Sequence, residues 1–411
     1  MKSTDSQKRS SVFPFYIMLC LSSALYVYFL TVLFRNTFSG MFTGGFVLYS
    51  LFFLPLFVLP LLLLQLYRKW GRFYVLYLLL SCFYLFVFFI FVKTISYREK
   101  YRYFDPFLQI RPVLSEVLLV PKAENEVRIL FLGGSTTRCS GLPEGARFPT
   151  LLAQKLKAYC PEKKITVLNA GMDWFTTRHS LTAYTQYYKP FDADIVVTMH
   201  AINDVVRTFT PLNIASDAFR FDYSHFYGPS AHAAMPERTY PEQLLQKIDC
   251  FYHVNILGVT DTAIDYDRSC FTSARSFRYY YTLLLRQLIA DSVQVIVMSE
   301  PFFYKENMTE KEKSLLWFSK EFCYHQSENN YKPYGRRLAS IISMGRAMRY
   351  FNNIAEVTAL NEGALFIDAE SLIAPDTLHF TDDVHFTAKA SEEIADILFR
   401  YFKENNLIER K

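Results

Sequence analysis

Residues 127–137, with the sequence VRILFLGGSTT, combine a short apolar run with a glycine turn and a cluster of hydroxyl side chains. The run Val127–Leu132 is predicted to be a β-strand, because it is short and apolar apart from Arg128. Four similar runs follow along the chain: Ile165–Leu168, Ile195–Met199, Val293–Met298 and Leu365–Ile367. Strands without a polar face are typical of a parallel sheet that helices cover on both sides. The sequence therefore predicts an α/β fold with a five-stranded parallel sheet.

Longer amphipathic segments separate these runs, as the crossover helices of a parallel sheet require. The predicted helices are Pro149–Tyr159, Thr177–Tyr188, Ser276–Ala290, Leu338–Leu360 and Thr387–Phe402. Two further stretches, at about 209–273 and 305–337, are rich in aromatic residues and too long for simple connections. We interpret them as insertions that build the walls of a substrate site, because binding residues concentrate on such loops.

The N-terminal part of the chain has a different texture. Of the 411 residues, 51% are hydrophobic and only 20% are charged. Three long runs, at about 13–34, 41–67 and 73–92, contain no charged residue and are long enough to cross a bilayer. They predict a membrane anchor of three transmembrane helices over 1–93, a connector over 94–126 and an α/β domain over 127–411. Buried helices of a soluble core, or a signal peptide for the first run, are the alternatives.

The positive charge is concentrated around these apolar runs. Residues 1–93 hold eight Lys and Arg against one acid, Asp5, whereas the remaining 36 basic and 38 acidic residues nearly cancel. This distribution excludes a basic stripe for nucleic acid and is typical of a membrane protein. The basic loop at 67–72 favours a cytoplasmic N-terminus, which predicts a multi-pass protein whose α/β domain is extracytoplasmic, on the periplasmic or outer face.

Polar residues follow three predicted strands and precede the last predicted helix. Ser135 lies on the first glycine turn, and Gly171 and Asn203 follow the second and third strands. Asp382 and His385 come just before the last helix. The carboxyl ends of parallel strands form the functional crevice of such a sheet. These residue types predict acyl transfer, with Ser135 as nucleophile, His385 as base and Asp382 orienting the imidazole.

The oxyanion of that reaction needs fixed hydrogen-bond donors. The backbone N–H groups of Ser135 and Gly171 and the side-chain amide of Asn203 are the predicted oxyanion hole. Two alternatives stay open for the base and its partner, since Asp376 and His379 repeat the same spacing and Asp383 adjoins Asp382. The helix that starts right after His385 favours His385.

Other polar residues at the strand ends have less specific roles. Four of them are candidates for lining the cleft: Arg138, Trp174, Arg207 and Glu300. His200 is predicted to be buried and hydrogen-bonded. Cys250 and Cys270 are either a local disulfide or two reduced thiols, and no Cys or His spacing indicates a metal site.

From Val127 to its C-terminus, the chain resembles the SGNH (GDSL-type) hydrolases. The Gly133-Gly134-Ser135-Thr136 turn matches the first family block, Gly171 the second, Ala201-Ile202-Asn203-Asp204 the third, and Asp382 with His385 the last. The chain departs from the pattern at Gly134, where the family has Asp, and at Ala201, where it has Gly. The resemblance implies a three-layer α/β/α fold and esterase, lipase, deacetylase or O-acyltransferase chemistry, with no metal or cofactor.

The expected function is that of a membrane-anchored serine esterase. Its expected substrates are O-acyl or O-acetyl groups on envelope saccharides or lipid esters. The lipid bilayer is an expected partner, and nucleic acid is not. One alternative is an O-acyltransferase that uses the same triad. The other is a catalytically inactive module that binds glycan or an envelope protein, for which the departures at Gly134 and Ala201 are the support.

Overall fold

The computed structural model of the protein describes residues 115–209, 248–317, 335 and 337–409, together with 84, 85, 88, 108 and 112. The predicted membrane spans lie outside this part of the chain, apart from residues 84, 85 and 88. Among the residues described, none of the helices combines the length and the apolar character needed to cross a bilayer.

A five-stranded parallel sheet forms the centre of the fold. Its strands are β1 (Glu126–Gly133), β2 (Lys164–Asn169), β3 (Ile195–Met199), β5 (Gln294–Met298) and β7 (Leu365–Ile367). They are arranged in the order β2-β1-β3-β5-β7, and every neighbouring pair is parallel. β1 and β3 are buried along their whole length, which explains why their sequences are mostly apolar. A second, two-stranded parallel sheet joins β4 (Thr262–Ile264) to β6 (Arg337–Ala339).

Nine α-helices lie in the described residues, four of them only one or two turns long. The short helices are α1 (Ser135–Arg138), α4 (Ile202–Val206), α6 (Glu310–Leu315) and α8 (Ala369–Leu372). The longer helices are α2 (Phe148–Tyr159), α3 (Thr177–Ala183), α5 (Ala274–Ala290), α7 (Ile341–Glu362) and α9 (Ala388–Glu404). π-Helical turns follow at Tyr184–Tyr188 and Tyr252–Ile256. Short 3-10 turns occur at Glu116–Leu119, Glu144–Ala146, Lys189–Phe191, Arg207–Phe209 and Arg268–Cys270.

The longer helices form two groups that flank the sheet. α2 packs against α9, whereas α5 packs against both α3 and α7. α9 begins at a side-chain cap, in which Thr387 Oγ1 accepts from the Ala390 N–H at 3.3 Å. α7 ends at Gly363, whose φ of 75° is the left-handed conformation that glycine adopts without strain. The buried faces of these helices and the strands share one apolar core.

The predicted five-stranded parallel α/β fold is confirmed. Each predicted strand and each long predicted helix is present, and their ends shift by three residues or fewer, with one exception. The exception is the segment Thr177–Tyr188, where the α-helix ends at Ala183 and continues as a π-helical turn. The β4–β6 sheet was not predicted, because β4 lies in a stretch interpreted as an insertion, and Leu338 and Ala339 of β6 were assigned to the start of the following helix, which begins at Ile341.

The structure also gives the state of Cys250 and Cys270 and the surroundings of Arg128. Cys250 and Cys270 are free thiols, so the reduced alternative is the one the structure has. Arg128, the polar exception in β1, is 1% exposed and lies over the Phe191 ring, 5.4 Å from its centroid. Its guanidinium donates to the Phe191 carbonyl at 2.9 Å and lies 3.3 Å from the Glu126 carboxylate, so the buried charge is compensated.

The strand order places a crevice between the carboxyl ends of β1 and β3. The chain goes from β1 to β2 on one side and then returns to β3 on the other side. Connections that leave in opposite directions open a crevice at the carboxyl ends of the strands. Ser135 follows β1 and Asn203 follows β3, so both lie at this position.

Candidate active site

Ser135, His385 and Asp382 form a continuous chain of hydrogen bonds. The Ser135 hydroxyl lies 2.8 Å from His385 Nε2, and His385 Nδ1 lies 2.7 Å from Asp382 Oδ2. The second carboxylate oxygen, Asp382 Oδ1, accepts from the backbone N–H groups of Val384 at 3.0 Å and His385 at 2.9 Å. The tight turn thus fixes the carboxylate, and the carboxylate fixes the imidazole.

The electrostatics of these three hydrogen-bonded residues favour a charged imidazole beside a charged carboxylate. Burial alone would lower the pKa of His385, but the hydrogen bond and negative charge of Asp382 outweigh it and raise that pKa. Burial likewise opposes ionisation of Asp382, yet the contact with His385 lowers the pKa of the carboxyl below its usual range. The negative charges of Glu300 and Asp173 also raise the pKa of His385, by less than Asp382 does.

The predicted oxyanion donors differ in how they are engaged. The Asn203 amide donates to the Phe175 carbonyl at 2.9 Å, which uses one of its two N–H bonds and orients the other. The Ser135 N–H, at the start of α1, has no partner among the described residues. The Gly171 N–H donates to Asn169 Oδ1 at 3.0 Å, so an oxyanion would have to share this donor. Ser135 and Asn203 therefore offer the two unshared donors.

Glycine is required at Gly171 because the loop crosses α1 closely. A Cβ atom at Gly171 would lie 2.5 Å from the backbone nitrogen of Arg138. Asn169 reinforces this crossing, since its amide also donates to the Thr137 carbonyl at 3.0 Å. The glycine after β2 therefore holds the loop against the helix that carries the serine.

Gly134, one of the two departures from the SGNH pattern, makes room for Asn203. A Cβ atom at Gly134 would lie 2.4 Å from Asn203 Nδ2. With this packing, a side chain at position 134 would displace the amide. The other departure, Ala201, is buried, and its φ of −159° lies outside the left-handed region that favours glycine. Neither departure disturbs the contacts between Ser135, His385 and Asp382.

The alternative base lies elsewhere. His379 Nδ1 contacts Asp376 at 2.6 Å, and its Nε2 contacts Glu393 of α9 at 3.1 Å. Both nitrogens of this ring are therefore occupied by carboxylates, and the ring is buried. The structure brings His385, and not His379, to Ser135.

Asp383, the alternative orienting carboxylate, is buried beneath the same loop. It accepts from the Tyr304 hydroxyl at 2.7 Å and from the Trp317 N–H at 2.7 Å. Its own carbonyl accepts from the Phe303 N–H at 2.9 Å. Asp383 thus ties the turn before α9 to the loop after β5 and to the end of α6.

The residues proposed to line the cleft divide into surface and buried groups. Arg138 and Trp174 are partly exposed, and Arg138 pairs with Asp173 at 2.8 Å. Trp174 has a φ of 65° and packs edge-on against Trp317, with ring centroids 5.8 Å apart. Arg207 and Glu300 are each only 1% exposed, so neither is a rim residue.

Two further polar side chains support the site from inside. His200 is buried, as predicted; its Nε2 contacts Ser180 Oγ at 2.9 Å, and burial lowers its pKa to about 3. Asp204 accepts from both the N–H and the hydroxyl of Thr177 at 3.0 Å, which caps the start of α3. Burial raises the pKa of Asp204 to about 6.

Sequence reasoning missed several of these partners. Asn169 was given no role, and Thr136 was named only as part of the glycine turn, yet their side-chain contacts to Thr137 and Glu300 join elements that are distant in the chain. The only sequence signal was their position directly after a strand or beside the nucleophile. Within the described residues, no three His, Cys, Asp or Glu side chains are grouped so that they could hold a metal ion.

The similarity of the chain to known proteins is distant. No protein-family model matches it, and no curated protein matches its sequence. Axe2, an acetylxylan esterase from Geobacillus stearothermophilus, aligns over 67% of this chain and 93% of its own, with 16% identity and a TM-score of 0.38. The acetyl xylan esterase AlAXEase aligns over 67% and 99% of the two chains, with 12% identity and a TM-score of 0.38.

A third solved structure gives the same picture. LAE5, an alpha/beta hydrolase from the metagenome of Lake Arreo in Spain, is 14% identical over 67% of this chain and 94% of its own, with a TM-score of 0.38. Similarity at this level carries no argument about chemistry.

Proposed function

We propose that the protein is a serine esterase of the SGNH type that acts on O-acyl groups through an acyl-enzyme. The single observation that carries this proposal is the hydrogen-bonded chain from Ser135 through His385 to Asp382, with both links at 2.8 Å or shorter. A serine hydroxyl becomes nucleophilic when an oriented imidazole takes its proton, and this chain supplies both the base and its orientation.

The first half-reaction forms the acyl-enzyme. Ser135 Oγ attacks the ester carbonyl while its proton passes to His385 Nε2, and the Asp382 carboxylate stabilises the imidazolium. The oxyanion of the tetrahedral intermediate accepts from the Ser135 N–H and the second N–H of Asn203. The ester C–O bond then breaks, and His385 returns the proton to the leaving alcohol.

The second half-reaction releases the acyl group. Water attacks the acyl-enzyme, His385 takes its proton, and the acid leaves as Ser135 regains the proton. An alcohol in place of water would give the O-acyltransferase reaction through the same intermediate. Hydrolysis is the proposed reaction, since three predicted membrane spans are few to carry an acyl donor across a bilayer.

The proposed substrates are O-acylated, and in particular O-acetylated, saccharides or lipid esters of a cell envelope. The proposed location is a membrane, with the α/β domain on the side away from the cytoplasm. Support for this location comes from the three uncharged runs and the basic loop at 67–72. Protease digestion of sealed vesicles tests the proposed location. Protease added outside the vesicles degrades the α/β domain of the full chain only when that domain faces the outside.

Labelling with a fluorophosphonate probe tests the proposed chemistry. The full-length wild-type chain should be labelled, and Ser135→Ala should not. Ser180→Ala is the matched control, because Ser180 is also hydrogen-bonded to a histidine, His200, but that pair is buried. This control should be labelled like the wild type. An unlabelled wild type would instead favour the inactive binding module.

Turnover of p-nitrophenyl acetate in the presence of a saccharide acceptor separates hydrolysis from transfer. Mass spectrometry of the acceptor shows whether it gains an acetyl group. We expect free acetate and an unchanged acceptor. An acetylated acceptor that depends on Ser135 would assign the chain as an O-acyltransferase.

A further inference from the structure

Glu300 is a buried carboxyl group that the proposed reaction has not used. It is the second residue after β5 and is only 1% exposed. A buried carboxyl is rare unless it is held by several partners, because its charge is costly to remove from water. Its partners therefore indicate what it does.

The two oxygens of Glu300 hold the two elements that carry the nucleophile and the oxyanion donor. Oε1 accepts from the Thr136 hydroxyl at 2.8 Å, and Thr136 directly follows Ser135. Oε2 accepts from the backbone N–H of Ile202 at 2.9 Å, and Ile202 directly precedes Asn203. One carboxylate therefore links the start of α1 to the start of α4.

The backbone of Glu300 is itself fixed by the helix α7. The Glu300 N–H donates to Asn352 Oδ1 at 2.9 Å, and the Asn352 amide donates back to the Glu300 carbonyl at 3.0 Å. The same amide also reaches the Glu370 carboxylate at 2.7 Å. Paired hydrogen bonds to the middle of a long helix hold the carboxylate in one place.

Both oxygens of Glu300 act as acceptors. The Ile202 N–H can only donate, whereas the Thr136 hydroxyl can rotate and either donate or accept. A glutamine at position 300 keeps the Ile202 link through its oxygen, but its NH₂ group reaches Thr136 only if that hydroxyl turns round to accept, so this link is rearranged and the negative charge is lost. The charge also acts at a distance, because Glu300 is among the groups that raise the pKa of His385.

We propose that Glu300 is a positioning residue, whose carboxylate fixes Ser135 relative to Asn203 and supports the His385 imidazolium that forms during acyl transfer. This inference rests on the proposed esterase function and deepens it. It adds a second carboxylate to the electrostatics of the site, beneath the nucleophile, whereas Asp382 lies behind the imidazole.

The titration of Glu300 depends on its surroundings. Burial raises its pKa to about 7, against the lowering effect of the Ile202 and Thr136 hydrogen bonds. The titratable side chains around it, or linked to it through a shared residue, are His385, Tyr304, Tyr281, Glu370 and Asp204. Ionised Glu300 and neutral His385 both belong to the active form, so activity should fall as pH drops through either pKa.

The test compares Glu300→Gln with Glu370→Gln in the full chain. Glu370 is the matched control, because it is hydrogen-bonded to the same Asn352 but has no contact with Thr136 or Ile202 among the described residues. On p-nitrophenyl acetate, kcat of Glu300→Gln should fall by about 10- to 100-fold with little change in KM, the size of effect that misplacement of reacting groups produces. Glu370→Gln should keep the wild-type kcat.

The pH profile separates positioning from a merely structural role. In the wild type, two groups titrate on the acid limb, so log kcat/KM should rise more steeply than a single proton allows. In Glu300→Gln, the limb should have the slope of one proton and lie at lower pH, because His385 has lost a favourable negative charge. Thr136→Val keeps that charge but removes a hydrogen bond that lowers the pKa of Glu300, so it should lower kcat and move the limb to higher pH, opposite to Glu300→Gln.

An NMR titration of His385 makes the outcome independent of turnover. The full chain with labelled histidine is compared with Glu300→Gln, using His385→Ala to assign the signal. The proposal expects a lower His385 pKa in Glu300→Gln and an unchanged one in Glu370→Gln. It is overturned if that pKa stays the same in Glu300→Gln or kcat remains at the wild-type value. A wild type that turns over no ester would refute the esterase function, while the titration would still decide the link from Glu300 to His385.

Discussion

Among the described residues, two Asp-x-x-His segments are almost identical in local geometry and differ in what their rings contact. In both, the histidine Nδ1 lies close to the aspartate three residues earlier, at 2.6 Å for His379 and 2.7 Å for His385. The Nε2 of His379 contacts the Glu393 carboxylate, whereas the Nε2 of His385 contacts the Ser135 hydroxyl. The local turn thus makes the Asp–His pair, and the tertiary partner decides whether that pair has a nucleophile to activate.

The histidine exchange gives the largest expected difference between the two segments. His385→Ala should lower kcat by about 10⁶-fold, since losing the base of a serine triad removes nearly all of its catalysis. His379→Ala should leave kcat unchanged and lower the free energy of unfolding by about 1–3 kcal/mol, because a buried ring and its contacts with two carboxylates are lost. Steady-state kinetics and urea unfolding measure the two effects. Comparable loss of kcat in both variants would mean that both segments serve the site.

The aspartate exchange should show the same contrast at a smaller size. Asp382→Asn keeps the shape of the side chain but holds the imidazole in the wrong tautomer, so kcat should fall by about 10⁴-fold. Asp376→Asn should retain full activity. Kinetics with p-nitrophenyl acetate measure both variants. Full activity in Asp382→Asn would show that another carboxylate orients His385.

Gly134→Ala tests whether catalysis by Ser135 and His385 depends on Asn203. The new Cβ would displace Asn203 Nδ2 and remove one oxyanion donor, so kcat should fall by about 10²–10³-fold. Asn203→Ala should cause a loss of similar size. The double variant should lose little more than either single variant, because both remove the same donor. Additive losses would contradict this explanation.

The pH dependence gives the smallest effect and depends on the charge of the His385 ring. The base must be neutral to take a proton, and Asp382 raises the pKa of His385, so activity should fall with decreasing pH already above pH 6.5. In Asp382→Asn, the residual activity should persist to lower pH. The kcat/KM profile measures this shift. A wild-type kcat/KM profile whose acid limb lies at or below the ordinary histidine pKa would contradict the raised pKa of His385.

The sequence predicted the sheet and the long helices because their apolar patterns are local. β1, β3 and β7 read as short apolar runs, and the structure has them with ends shifted by no more than one residue. The strands β4 and β6 were not predicted, because Thr262–Ile264 and Arg337–Ala339 contain Thr262 and Arg337 and so do not form apolar runs like that of β7. The predicted membrane spans lie outside the described residues, apart from 84, 85 and 88, and stay a prediction.

The site was only partly predictable, because sequence patterns are local and several of the site's contacts join distant residues. The positions of Ser135, Asn203 and His385 after strands or before a helix were visible in the sequence. The choice of His385 over His379 rested only on the helix that follows His385, because their spacing to an aspartate is the same and only the fold brings one of them to Ser135. The contact from Glu300 to Thr136 joins residues 164 positions apart, and no local pattern encodes it.

The most direct test of the central claim is to trap the acyl-enzyme. The full chain is mixed with p-nitrophenyl acetate, quenched in acid within the first turnover, digested and analysed by mass spectrometry. We predict one acetyl group on the peptide that contains Ser135, present in the wild type and absent from Ser135→Ala. Ester turnover with no acetyl group on Ser135, or with the group on another residue, would contradict the proposed mechanism.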